Sequence, residues 1–395
     1  MLRRATNDQL ADSVVVPQQR GRGLLLLSSA HRVSDCRIAQ KEAAALHAAG
    51  YDVTVMGLER AVGALLPEGP NYIEYAAPGP RLRRFLLRLP WLLGFCLLHR
   101  YDAYHIHDPD LVLLGLVLKL FGRRVVYDVH ESYPMVVLDR DWIPSLLRPL
   151  LARAWSRLES YFVRSADLTI AAHHSVARQF AMGEIVTVQN FPTMEASADT
   201  PGAAIPMTQR PYRVLHHGDL TEQRGLLSMI DAIAEVEWPE EPALRLGGSL
   251  RPPLLQRIQS RPGFRRTAYL GWLNSQQLAG ELSQARIGLV LLHPTNNYRR
   301  IRPNKLFEYM ASGLPVIVSD FDHWRAVVEP AQCGLLVDPL DVNAIARALE
   351  YIFAHPDEAA EMGERGREAV RAQYNWQGER GKLLASYARL FSGAT

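Results

Sequence analysis

Short apolar runs, each followed by a stretch with helical spacing, recur along almost the whole chain. "GLLLLSS" from Gly23 leads into "RIAQKEAAALHAAG" and "YDVTVMG". "YDAYHIH" leads into "LVLLGLVLKLFG" and "RRVVYDV", and "ADLTIAA" and "EIVTVQN" end the series. Runs that are apolar at nearly every position, not at every second one, predict strands buried on both faces, which means a parallel sheet covered by helices. The series stops over residues 192–211, where Pro192, Pro201, Pro206 and Pro211 break any periodicity. It restarts with "YRVLHHG", "GLLSMIDAIAEV", "ALRLGG", "RTAYLGW" and "ARIGLVLL", and helical stretches close the chain. The expected fold is therefore α/β, with two doubly wound Rossmann-like domains facing a cleft. The expected divisions are a leader over 1–20, a first domain over 21–191, a linker over 192–211, a second domain over 212–374 and a terminal helix over 375–395. Ligands of such sheets sit beyond the carboxyl ends of the strands, so the cleft is the expected site.

Composition narrows the function. A length of 395 residues suits two or three domains, and 48% apolar with 22% charged residues is ordinary globular usage. A net charge of +3 gives no general nucleic-acid footprint. Cys36, Cys96 and Cys333 form no C-x-x-C pair, so neither a zinc ribbon nor a disulfide framework is expected, and free thiols suit a reducing cytoplasm. No signal peptide and no uncharged apolar stretch of bilayer length is visible, so the expected location is cytoplasmic. No G-x-G-x-x-G follows a strand, and neither a Walker A loop nor a G-x-S-x-G elbow is present.

The stretch "IRPNKLFEYMASGLPVIVSD" (301–320) carries the most chemistry. A helix opens after Pro303, ends at Gly313 and is followed at once by an apolar strand. A helix N-terminus attracts anions, and its dipole disfavours a cation such as Lys305 unless an anion sits there. Glu308, one turn on, is an acceptor-only carboxylate suited to a pair of ribose hydroxyls. The combination predicts a nucleotide diphosphate, with its phosphates at the helix tip and its ribose at Glu308. In "HHGDLTEQRGLLSMI", a strand ends at His217-Gly218 and a polar loop reaches Arg224-Gly225, where a planar guanidinium can grip two phosphate oxygens. In "YDVHESYP", His130 and Glu131 follow a strand at its ligand-binding end.

These motifs resemble those of GT-B glycosyltransferases, specifically glycosyltransferase family four in its Pro-Asn-Lys-Leu-Phe-Glu-Tyr form. "DCRIAQKEAAALHAAGYDVTVMG", "YHIHDPDL" and "CGLLVDP" extend the likeness over most of the chain from Gly23 to about Phe391. The resemblance implies a retaining sugar transfer from a UDP- or GDP-linked donor to a glycan or lipid-linked acceptor hydroxyl, without cofactor or metal. It implies donor contacts at Gly218, Arg224, Gly225, Asn304, Lys305, Leu306 and Glu308. Catalytic roles would fall to Arg224, Lys305 and His130, the last under the donor sugar, and an acceptor contact to Glu131. The terminal helix would cross back to the first domain. Two positions depart from the family pattern. Arg300 stands where the first Glu of a Glu-seven residues-Glu motif would fall, and Asp219 stands where the family carries the first of two cations. A nucleotide-sugar epimerase of the same fold and a non-catalytic membrane-associated binding protein stay open as other readings.

"HIHDPD" places His105 and His107 on one strand face, a possible metal pair, but no further His cluster accompanies it and the expected reading is a capped strand end. Arg81, Arg84 and Arg88 share a helix face within residues 81–100, flanked by Phe85, Leu86, Trp91 and Leu92, with Pro90 expected to divide the segment. That segment is an ordinary domain helix or an interfacial anchor for anionic lipid at the inner face of the cell membrane.

Overall fold

The computed structural model describes residues 21–61, 63–76, 88–193, 205–239 and 243–392. The expected leader, the middle of the expected linker, and Arg81, Arg84, Phe85 and Leu86 lie outside the described residues. Seven strands make the first sheet: β1 (Gly23–Arg32), β2 (Asp52–Leu58), β3 (Asn71–Tyr75), β4 (Ala103–Ile106), β5 (Val125–Val129), β6 (Leu168–Ala171) and β7 (Ile185–Thr187). Six make the second: β8 (Val214–His217), β9 (Leu244–Gly247), β10 (Thr267–Gly271), β11 (Ile287–Val290), β12 (Val316–Ser319) and β13 (Gly334–Val337). The spatial orders are β3-β2-β1-β4-β5-β6-β7 and β10-β9-β8-β11-β12-β13. Every pairing between these strands is parallel. Each order reverses once, between β1 and β4 and between β8 and β11.

The apolar runs explain the layers. In β1, Leu24 and Leu26 face one side with Val53 and Val55, whereas Leu25 and Leu27 face the other with Met56, Tyr104 and Ile106. All four leucines are fully buried, and each contributes about 1.5–3 kcal/mol relative to an exposed position. β3 lies at the sheet edge with one exposed and four partly buried residues, so it lacks the continuous apolar signal. The terminal helix Trp376–Ser392 lies on the first sheet, not the second. Its Trp376, Leu383, Tyr387 and Phe391 join the cluster of Leu24 and Val53, and Tyr387 Oη lies 2.9 Å from His105 Nδ1.

The helix expected after β1 begins as a π-helix, Cys36–Ala43, before a short α-turn, Ala44–Ala48. Asp35 caps it by accepting from the N–H groups of Arg37 and Ile38. Such wide turns are rare and favour functional sites. Here the turn buries Arg37, Lys41 and Glu42 on the side facing the cleft and sheet. Pro90 stands near the start of the helix Leu89–Leu98, where its missing N–H costs nothing.

Candidate active site

The helix Asn304–Ala311 starts after Pro303, which is extended at the N-cap, so no side chain caps the first turn. Lys305, 7% exposed, lies at the second helical position. Its ammonium sits over the end of β8. A Cβ added to Gly218 would come 2.7 Å from Lys305 Nζ and 3.9 Å from an Arg224 guanidinium nitrogen. Gly218 also has φ +106°, so glycine is required there for both conformation and space. Burial, and then the Arg224 charge, push the Lys305 ammonium down to about 7, with Glu308 and Asp219 acting the other way. Asp219 Oδ2 lies 3.7 Å from Arg224 Nη2. Two basic groups thus converge above one glycine, with Asp219 beside Arg224.

Glu308 faces the same cleft one turn further on, its Oε2 3.2 Å from His217 Nε2. Burial raises its carboxyl, but the contact with His217 and the charges of Lys41 and Lys305 outweigh that and hold it below the ordinary carboxylate range. Lys41 comes from the π-helix of the opposite domain and donates to Asn190 Oδ1 at 2.5 Å. The first domain supplies the other wall: Arg37, His130, Glu131, Ala172, His173 and Asn190. The cleft between the walls encloses about 340 Å³.

His130 is held from behind. Its Nε2 lies 3.0 Å from Asp128 Oδ2 at the end of β5. Arg37 grips the same carboxylate with Nε at 2.7 Å and Nη2 at 2.9 Å, and His107 Nδ1 lies 3.2 Å from it. Burial would raise Asp128, but Arg37 first and then His130 and His107 keep it well below the ordinary range.

Two family descriptions match successive parts of the chain, "Glycosyl transferase 4-like domain" over residues 37–188 and "Glycosyl transferases group 1" over residues 211–355. The chain belongs to the GT-B glycosyltransferases. It is 23% identical over 290 residues to a glycogen synthase of Mycobacterium tuberculosis, a match that takes in 70% of this chain and 66% of that protein's own length. It is 25% identical over 287 residues to the lipopolysaccharide core biosynthesis glycosyltransferase LpsE of Rhizobium meliloti, covering 67% of this chain and 77% of that one. Among solved structures, Anabaena Alr3699/HepE in complex with UDP-glucose superposes with a TM-score of 0.69 at 14% identity, over 93% of this chain and 99% of that one.

In this glycosyltransferase, seven of the residues read from sequence line one cleft: His130, Glu131, Gly218, Arg224, Asn304, Lys305 and Glu308. Two do not. Leu306 packs in the core of the second domain, and its N–H bonds the Pro303 carbonyl at 3.1 Å, which leaves it nothing to offer a donor. Gly225 serves packing: at φ +77°, a Cβ there would meet the Leu291 carbonyl oxygen at 2.0 Å. Arg300 is exposed and outside the cleft; its carbonyl accepts from Ser175 Oγ of the other domain. The position that carries an acid in the family pattern is here a bridge between domains.

Sequence reasoning assigned no role to Arg37, Lys41, His173, Asn190 or His217. The only signal for Arg37 and Lys41 was their place after Asp35 in a helix bound for the interior. Glu42, His105, His107 and Asp128 do cluster, with one ligand-type atom from each within 4.8 Å of the others. Arg37 already supplies a cation to that cluster, its Nε 3.0 Å from Glu42 Oε1 and 2.7 Å from Asp128 Oδ2. Burial, opposed by Arg37, drives the Glu42 carboxyl well up, as suits a group sharing one guanidinium with Asp128.

Proposed function

We propose that this glycosyltransferase moves a sugar, with retention at the anomeric carbon, from a UDP- or GDP-linked donor to a hydroxyl of a glycan or lipid-linked acceptor, in polysaccharide synthesis of the bacterial surface type. The observation that carries the reading is the pairing of buried Lys305 with Arg224 at an uncapped helix N-terminus. A buried ammonium beside a guanidinium is unfavourable by itself and favourable around a diphosphate. Glu308 would accept from the ribose hydroxyls, and His130 would lie under the sugar.

The demand of the reaction is charge on the leaving diphosphate. As the acceptor oxygen bonds to the anomeric carbon, the bond from that carbon to the phosphate oxygen breaks. The proton of the acceptor hydroxyl passes to the departing phosphate oxygen on the same face. Arg224, Lys305 and the first-turn N–H groups stabilise the growing charge, so the reading needs neither a protein base nor a metal or cofactor. The first domain, with Glu131, would hold the acceptor. The setting in this reading is the cytoplasmic face of an anionic membrane, with residues 88–98 as one contact: Trp91 and Leu98, towards the two ends of the helix Leu89–Leu98, are exposed. No helix among the described residues is long and apolar enough to cross a membrane.

The test is a thermal-shift screen of nucleotide-sugars, followed by product analysis with and without acceptor. A donor at 100 times its Kd should add about 2.7 kcal/mol of stability. Sugar release or transfer with retained configuration supports the reading. An altered donor sugar formed without any acceptor would make the chain an epimerase, and donor binding without turnover on glycan and lipid-linked acceptors would make it a binding protein.

A further inference from the structure

His130 lines the cleft with a side chain 17% exposed, and it stands just past the end of β5, where the strand no longer fixes a side-chain direction. One carboxylate holds the ring instead. Asp128 is fully buried and meets four donor nitrogens. Arg37 Nε at 2.7 Å, His130 Nε2 at 3.0 Å and His107 Nδ1 at 3.2 Å share its Oδ2, and Arg37 Nη2 at 2.9 Å takes its Oδ1. An ionised carboxylate only accepts, so the ring nitrogens that face it carry protons. His130 therefore donates through Nε2, and Nδ1, without a partner among the described residues, is the nitrogen left for a ligand. The rings of His31 and His107, with centres 5.2 and 5.8 Å from that of His130, limit its rotation.

The carboxylate is fixed in turn by Arg37, which is 3% exposed and uses all three guanidinium nitrogens. Nε and Nη2 form the fork on Asp128, and Nη1 donates to the Val188 carbonyl at 2.8 Å. Val188 follows β7 at the start of the segment that leads to the second domain, where Phe191 packs against Phe307 and Tyr374. Glu42 lies 3.0 Å from the same Nε, but burial drives its carboxyl towards the neutral form, which leaves the charge of Arg37 to Asp128. A planar fork gives a carboxylate one orientation, whereas an ammonium holds it at a single point.

We propose that Asp128 and Arg37 are positioning residues for the transfer: Asp128 fixes the tautomer and direction of His130, and Arg37 fixes Asp128. Neither touches the donor sugar, and both act through His130. The proposal rests on the glycosyl-transfer reading, in which His130 lies under that sugar, and it gives a task to two buried residues that the reading leaves without one.

The experiment uses the full chain, the variants Asp128→Asn, Arg37→Lys and His130→Ala, and Asp128→Asn combined with His130→Ala. UDP and GDP titrations report nucleotide binding. Turnover is followed as UDP and GDP release from UDP-glucose and GDP-mannose, with and without methyl hexosides. Nitrogen-labelled imidazoles report the ring itself, and His130→Ala identifies its signals. Expected in the parent is a His130 ring protonated at Nε2, with a downfield proton that exchanges slowly with water. In Asp128→Asn that proton should move upfield or be lost to exchange, because a neutral amide is a weaker acceptor than a carboxylate. The kcat of Asp128→Asn should fall about 10- to 100-fold, the scale of one hydrogen bond to a charged group, with UDP and GDP affinity within about threefold. Arg37→Lys, which keeps the charge without the fork, should lose less. In the His130→Ala background, Asp128→Asn should cost nothing further in kcat, because nothing is left to aim. An equal cost in both backgrounds would show a merely structural Asp128 and overturn the proposal. A parent ring unprotonated at Nε2 would overturn it as well, whether or not the variants fold, and so would a His130 signal unmoved by Asp128→Asn. If the parent turns over neither donor and binds neither UDP nor GDP, the transfer reading itself fails, and the ring spectra keep that outcome separate from a failure of the brace.

Discussion

Lys305 is the residue whose charge the site controls. In the free site it titrates at about 7, below its ordinary 10.5. A diphosphate bound over it restores the cation, so nucleotide binding above pH 7 should take up a proton. Calorimetry of UDP or GDP binding at pH 8 should give heats that differ between Tris and phosphate buffers, and Lys305→Arg should erase the difference because a guanidinium stays charged. Equal heats in both buffers for the parent would remove Lys305 from the phosphates. The sign for stability follows from the same shift. Between about 7 and 10.5 the unfolded chain binds the extra proton, so the parent should gain stability over Lys305→Met as pH rises through that window. His31 runs the other way. Asp108, against the opposing effect of burial, raises its imidazole to about 9 from 6.5. Its contribution is full below 6.5 and is lost as pH rises through about 9, and Asp108→Asn should flatten that part of the melting-temperature profile. In kinetics, Arg224→Ala and Lys305→Ala should each cost roughly 100- to 1000-fold in kcat, the scale of one preorganised donor. A rise in KM alone would mean that they bind only the ground state.

At the scale of elements, the two glycines of the β8 loop make different predictions. Gly225→Ala should destabilise the second domain by ~1–3 kcal/mol or more, since a left-handed position is compounded by a clash with the Leu291 backbone. Gly218→Ala, also strained at φ +106°, should cost stability too, but it should in addition weaken nucleotide affinity, because its added methyl meets the mobile end of Lys305. Chemical denaturation against UDP titration separates the two, and equal stability losses with unchanged affinity would void the assignment of Gly218 to the site. If side chains alone supply the cations at the diphosphate, as proposed, removing divalent ions with EDTA should leave turnover within twofold. These elements also show what a sequence reveals. Strands β5 and β12 were legible because every position is buried, and β1 and β8 because their stretches 24–29 and 214–216 are buried without interruption. The helix Asn304–Ala311 was legible because Pro, Lys and Glu mark its start and faces. The π-helix was not, since over one turn its apolar spacing hardly differs from an α-helix. Arg37 was missed because its partner Asp128 lies 91 residues away, and only the sheet order brings them together. Leu306 was misassigned for the opposite reason: motif neighbourhood placed it in the site, but the helix turns its side chain into the core.

Across the whole molecule, hydrogen bonds tie the two domains together at two places. Asp139 accepts from Asn296 N–H and Nδ2 at 3.1 and 2.8 Å and from Asn297 N–H at 2.9 Å, and the terminal helix returns to the first sheet after Trp376 N–H bonds the Pro192 carbonyl at 3.0 Å. Asp139 opens a surface that residue-scale reading of 81–100 did not reach. Trp142, Leu146 and Leu150 are 63%, 92% and 62% exposed within a few residues of exposed Arg140, Arg153 and Arg157. If the acceptor is lipid-linked, this apolar and cationic rim would set the cleft mouth against an anionic bilayer, with about 1 kcal/mol from each Arg near the surface. The chain should therefore sediment with vesicles containing phosphatidylglycerol, less at high salt, where screening shortens the reach of charge below the ~8 Å of physiological conditions. It should sediment poorly with phosphatidylcholine alone. Trp142→Ser with Leu146→Ser and Leu150→Ser should abolish recovery in the pellet, and Trp91→Ser with Leu98→Ser should reduce it only if the helix Leu89–Leu98 shares the contact. Size-exclusion chromatography on the same samples reveals whether the rim instead pairs two copies. Equal recovery in the supernatant with both vesicle types at both salt levels would exclude the bilayer as partner and leave a soluble glycan as the acceptor.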